Sequence, residues 1–187
     1  TPEWEPPLEL VDADDKNHGA YFIDLAGDGL VDFVEAWDQL GTTGNPRSFI
    51  NQGKKTDMLS EVENPKGGVF SIEYKSTPEY KSGSVLLNPR LPVQLDTVSR
   101  VTVSDGSGTD YSTTYTYENG TYYFASSTNK KFGGFETVTQ TDPEGNIKKS
   151  YQHQGNTSNT SLGEYQDHES KIGRTYRTVQ YATTTSA

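Results

Sequence analysis

The stretch Asp24-Leu25-Ala26-Gly27-Asp28-Gly29-Leu30-Val31-Asp32 carries the most specific chemistry in the chain. Its acids recur every fourth residue, as in calcium loops of the D-x-[DN]-x-D-G-x-x-D type. Ca²⁺ is a hard cation that takes about 6–8 oxygens at roughly 2.3–2.6 Å, so carboxylates and a carbonyl must converge on one point. Gly27 and Gly29 allow the sharp turn this requires. The expected ligands are the Asp24, Asp28 and Asp32 side chains and the Leu30 carbonyl. Ala26 stands where such loops carry Asn or Asp, which leaves one ligand to water or to a neighbour such as Asp12, Asp14, Asp15 or Asn17. A structural Ca²⁺ in the weak class of about 10⁻⁴–10⁻³ M follows. Asp28-Gly29 between two apolar runs is equally a plain hairpin turn that needs no metal.

Other catalytic chemistry has little to stand on. The chain has no Cys, which removes disulfides, thiolate metal sites and Cys nucleophiles together. Its histidines are His18, in an acidic segment, His153, alternating with Tyr151 on a strand, and His168, in a polar loop. Solvation or packing accounts for all three. No G-x-S-x-G, H-E-x-x-H or phosphate-loop pattern occurs. The acidic pairs Asp12/Asp14 and Asp167/Glu169 could serve as glycosidase carboxylates, but nothing in the pattern marks a cleft. No enzyme is expected. Trp4, Trp37, Tyr122 and Tyr123 could stack on sugar faces in a calcium-supported glycan- or surface-binding module. The favoured reading makes them the core of a sheet short of aliphatics, because aromatics carry large burial payloads.

The elements that must position these residues are strands. The chain has 187 residues, and only 30% are hydrophobic while 11% are aromatic. Residues 1–45 hold 11 acids and one base, and the remainder is balanced, so the net charge of −10 sits in the first quarter. Such a surface repels phosphate backbones and anionic membranes. No apolar run nears the ~20 residues of a membrane helix. Alternating Tyr/Thr/Val/Phe runs mark strands over 20–23, 30–34, 69–74, 98–103, 111–117, 121–125, 135–141, 147–153 and 174–182. Asn119-Gly120 reads as a type I′ hairpin turn, and 105–108 and 142–146 read as further tight turns. Residues 79–92 form a long connection and 156–161 a polar, mobile loop. The fold class is therefore all-β, an antiparallel hairpin meander forming a curved sheet behind a short acidic hairpin. The expected division is an acidic segment 1–63, a meander 64–182 starting at Asn64-Pro65-Lys66-Gly67-Gly68, and a disordered tail 183–187.

Residues 24–34 resemble the FG-GAP/VCBS repeat of bacterial β-propellers. Residues 57–74, completed by Tyr74-Lys75-Ser76-Thr77-Pro78-Glu79-Tyr80, resemble the segment that follows the propeller in the B component of insecticidal toxin complexes and in related Rhs/YD-repeat proteins. The runs Tyr115-Thr116-Tyr117-Glu118-Asn119-Gly120, Phe132-Gly133-Gly134-Phe135, Thr141-Asp142-Pro143-Glu144-Gly145-Asn146 and Tyr151-Gln152-His153-Gln154-Gly155 follow in that family's order. The resemblance covers about residues 20–181. It implies a secreted bacterial β-shell that encloses or docks a toxin polypeptide, with other toxin-complex or shell polypeptides as partners. The family's autoproteolytic aspartates have no counterpart here, so no catalytic residue is carried over. A full shell needs more strands than this chain supplies, and the chain is expected to be an excised piece, a reduced relative or one part of an assembly.

Overall fold

A computed structural model describes residues 19–35, 47–53, 55 and 57–183. The chain forms two compact units, 1–56 and 57–187. In the first, β1 (Ala20–Ile23), β2 (Asp32–Glu35) and β3 (Arg47–Phe49) form an antiparallel sheet in that order. Phe33 is buried at its centre, with the Phe22 and Phe49 rings 5.3 and 6.0 Å away.

The second unit is an antiparallel meander. Its strands are β4 (Glu61–Glu63), β5 (Val69–Ser76), β6 (Lys81–Ser82), β7 (Val85–Leu86), β8 (Asp96–Ser104), β9 (Asp110–Phe124), β10 (Lys130–Thr141), β11 (Ile147–Gln152) and β12 (Thr175–Tyr181). Seven of them form one sheet in the order β12-β11-β10-β9-β8-β5-β4, and β6 and β7 form a small hairpin of their own. The helical pieces among the described residues are 3-10 turns of three residues each. The sheet is open, and no strand closes it into a barrel. Register shifts at Glu73/Tyr74, Phe132/Gly134 and Tyr151/Gln152 are bulges, which bend a strand and increase its twist. The all-β, antiparallel expectation holds.

The core is thin and aromatic. Among the described residues the buried hydrophobics are Phe33, Tyr80 and Phe135. Around Phe135 lie Tyr117 at 4.9 Å and Phe132 at 5.2 Å, and Tyr80 meets Tyr117 edge-on at 5.7 Å. Burial, with Tyr80 and Tyr115 nearby, pushes the Tyr117 hydroxyl up to about 12.

The structure bears on three expectations. First, Asn119-Gly120 is not a turn but lies inside β9, with Gly120 opposite Phe135. A type I′ turn needs positive φ at both residues. Here Asn119 has it, at 54°, while Gly120 does not. The connection after β7 takes over the local N–H groups: Asn119 donates to the Leu87 carbonyl and Gly120 to Asn88 Oδ1. Glycine is needed at 120 for space, since a Cβ there would stand 3.0 Å from the Phe135 ring and 3.1 Å from Asn88 Oδ1. The hairpin joining β9 and β10 turns later, where Ala125 donates to the Asn129 carbonyl and Ser126 Oγ accepts from Asn129 N–H. Second, Asn64, near the expected division, accepts from Lys66 and Gly68 N–H on Oδ1 and makes the turn that joins β4 to β5, and the compact units are 1–56 and 57–187. Third, the polar run 156–161 is held by specific bonds, Asn159 to Glu164 and Glu136 among them. Of the expected tail, Thr183 donates its N–H to Asn146 Oδ1, and 184–187 lie outside the described residues.

Candidate functional site

The acidic loop joins β1 to β2. Asp24 Oδ1 accepts from Gly27 and Asp28 N–H at 2.6 and 3.1 Å, and its Oδ2 from Gly29 N–H at 2.9 Å. Asp28 Oδ1 accepts from Leu30 N–H at 2.9 Å. Asp32, 1% exposed, accepts from Asn51 N–H on Oδ1 and from Leu25 and Ala26 N–H on Oδ2, all within 2.9 Å. These bonds, from Asn51 first and then Ala26 and Leu25, hold the Asp32 carboxyl below the usual carboxylate range. The three predicted aspartates thus share one loop and close it through its own amides. Each carboxylate offers about four lone-pair sites, so acceptor capacity remains on the same oxygens. Asp12, Asp14, Asp15, Asn17, His18, Trp4 and Trp37 lie outside the described residues.

A second polar cluster closes the long loop between β11 and β12. His153 follows β11, and its Nδ1 lies 2.6 Å from Glu164 Oε1 and 3.2 Å from Asp167 Oδ1. Side-chain exposures of 10%, 5% and 2% put all three out of water. None of these three atoms has a partner in hydrogen-bond geometry. The outer oxygens are held by backbone: Asn159 N–H donates to Glu164 Oε2 at 2.6 Å, and Asn156 and Gln154 N–H donate to Asp167 Oδ2 at 2.8 and 3.3 Å. The Tyr176 ring stands 5.1 Å from the His153 ring, and its hydroxyl is buried without a partner. Burial, then the Glu164 and Glu136 carboxylates, pushes that hydroxyl up to about 12. Among the described residues, this is the group of three His or acidic side chains whose ligand atoms converge within 4.8 Å.

The remaining sequence candidates are spent on structure. Glu169, read as half of a carboxylate pair with Asp167, instead accepts from Lys131 Nζ at 2.8 Å and from Asn129 and Tyr123, and these donors, Lys131 first, hold its carboxyl low. Tyr123 is tied into that network, with Lys131 Nζ 5.6 Å from its ring centre, and Tyr122 is half-buried. His168 is exposed and accepts from Ser170 N–H, capping a 3-10 turn. Sequence reasoning missed the His153 cluster. Glu164 and Asp167 lie 11 and 14 positions after His153, a spacing that belongs to no ligand motif, and the polar loop between them hides the connection.

The sheet itself ends on two strands with one neighbour each, β12 and β4. Tyr181 on β12 is 50% exposed and Val62 on β4 44%. Such edges present unpaired N–H and C=O groups and template pairing with another chain.

A family model described as the insecticide toxin TcdB middle/N-terminal region covers residues 13–162. Neither the curated proteins nor the solved structures give a match.

Proposed function

Because the chain belongs to the family of the insecticide toxin TcdB middle/N-terminal region, we propose that it is a non-catalytic wall segment of a secreted toxin-complex shell that encloses or docks a toxin polypeptide. The carrying observation is the open seven-stranded sheet with β12 and β4 as its edges. A single sheet with so few buried hydrophobics gains both hydrogen bonds and burial when further strands extend it. On this reading the partners are other toxin-complex polypeptides, the meander is of Rhs/YD type, and the acidic unit is a propeller-type hairpin. The acidic first quarter disfavours nucleic acid. No helix among the described residues is long and apolar enough to cross a membrane. A glycan-binding role has less support, because Tyr123 is engaged with Glu169 and Lys131.

Successive residues of an edge strand send their N–H groups alternately toward the neighbour and outward. Thr178→Pro and Val179→Pro therefore test the reading as a pair. One removes a bond to β11 and lowers Tm. The other leaves Tm in place and abolishes co-purification with the toxin-complex polypeptides. Undiminished association in both variants would overturn the edge role.

Calcium at the Asp24, Asp28, Leu30 and Asp32 loop belongs to the same proposal, as a brace that neutralises clustered carboxylates. Millimolar Ca²⁺ is expected to raise the Tm of the acidic unit, and Asp28→Ala to remove the gain. A Tm indifferent to Ca²⁺ leaves the amide-closed turn as the whole account of the loop.

A further inference from the structure

We propose that His153, Glu164 and Asp167 form a site for one divalent transition cation of the Zn²⁺ class, which pins the loop between β11 and β12 to the sheet. The donor set is one imidazole nitrogen and two carboxylate oxygens, the mixture that suits Zn²⁺ and its neighbours rather than an all-oxygen Ca²⁺ cage. Each of the three atoms that would ligate lacks a partner in hydrogen-bond geometry, while the other oxygen of each carboxylate is fixed by backbone N–H groups. That division, one oxygen oriented and one presented inward, is how outer-shell contacts prepare ligands.

Charge points the same way. Two buried carboxyl groups face one imidazole, and buried charge without a partner is costly. A dication with neutral imidazole balances the set. Both distances from His153 lie near tetrahedral spacing. Ligands of a tetrahedral Zn²⁺ at about 2.0–2.2 Å sit roughly 3.2–3.6 Å apart. The Asp167 distance of 3.2 Å already meets this, and the Glu164 distance of 2.6 Å would open slightly. Water would complete the coordination.

The test uses the whole chain, stripped with a chelator and titrated with ZnCl₂ by calorimetry while Tm is followed. One equivalent is expected to bind and to raise Tm. Glu164→Gln and Asp167→Asn, both close in shape to the native residues, are each expected to weaken binding more than about tenfold. His168→Ala and Asp28→Ala are expected to bind as the native chain does, which separates this site from an exposed histidine and from the acidic loop. Histidine-ring NMR of the native chain supplies a readout that no folding defect can confuse: Zn²⁺ should shift the His153 ring signals and leave those of His18 and His168. Absence of Zn²⁺ uptake, uptake that does not move the His153 signals, or uptake indifferent to both carboxylate substitutions would overturn the proposal.

Discussion

Phe135→Ala is expected to cost the meander about 3–5 kcal/mol, the range for truncating a buried phenylalanine. Most domains hold only about 5–15 kcal/mol in total, so this one substitution removes a large share. The cost concentrates here because few other side chains can compensate. Phe135 packs over Gly120, meets Tyr117 and Phe132, and is one of two buried hydrophobics described in the second unit, Tyr80 being the other. Deleting the ring leaves a cavity against a glycine, which offers no side chain to collapse into it. Urea unfolding followed by far-UV circular dichroism measures the loss, and Phe135→Leu should recover part of it. A loss below about 1 kcal/mol would show that stability is spread over the sheet's hydrogen bonds and not gathered at this cluster.

Acidification is expected to open the first unit before the second, through Asp32. Its folded pKa lies below the ordinary value because three backbone N–H groups stabilise the charged form, Asn51 foremost. A depressed folded pKa gives stability that is complete above the unfolded value, about 3.9 for Asp, and that is lost as pH falls through the folded value. Amide exchange at Leu25, Ala26 and Asn51 should therefore accelerate below about pH 4, while the amides of β9 and β10 stay protected. Asp32→Ala should abolish protection at those three amides at neutral pH, because it strips them of their acceptor in a buried place. Intact protection of these amides in Asp32→Ala would show that the loop does not depend on this carboxylate.

Strands were legible in the sequence wherever alternation was clean, as at 69–74 and 147–153, because side-chain period 2 is local information. Turn chemistry was legible at Asp105 and Asp142, whose side chains accept N–H groups of their own turns. Asn119-Gly120 misled for a physical reason. Its pairing partners lie on the connection after β7, some thirty residues earlier in the chain, and they outcompete the local turn. The acidic loop was recognisable because its aspartates and glycines stand within nine consecutive residues. The His153 cluster was not, since burial and the folding of 154–167 back on β11 create it, and neither is written in spacing.

The strand order of the large sheet follows the chain order, with only the β6–β7 hairpin set aside. Every pairing but that of β5 with β8, which spans this hairpin, therefore joins neighbours in the sequence. Such a sheet can be laid down progressively as the polypeptide emerges from a ribosome, each hairpin using its predecessor as the template. It should also come apart by peeling from its ends, β12 and β4, while its central strands hold.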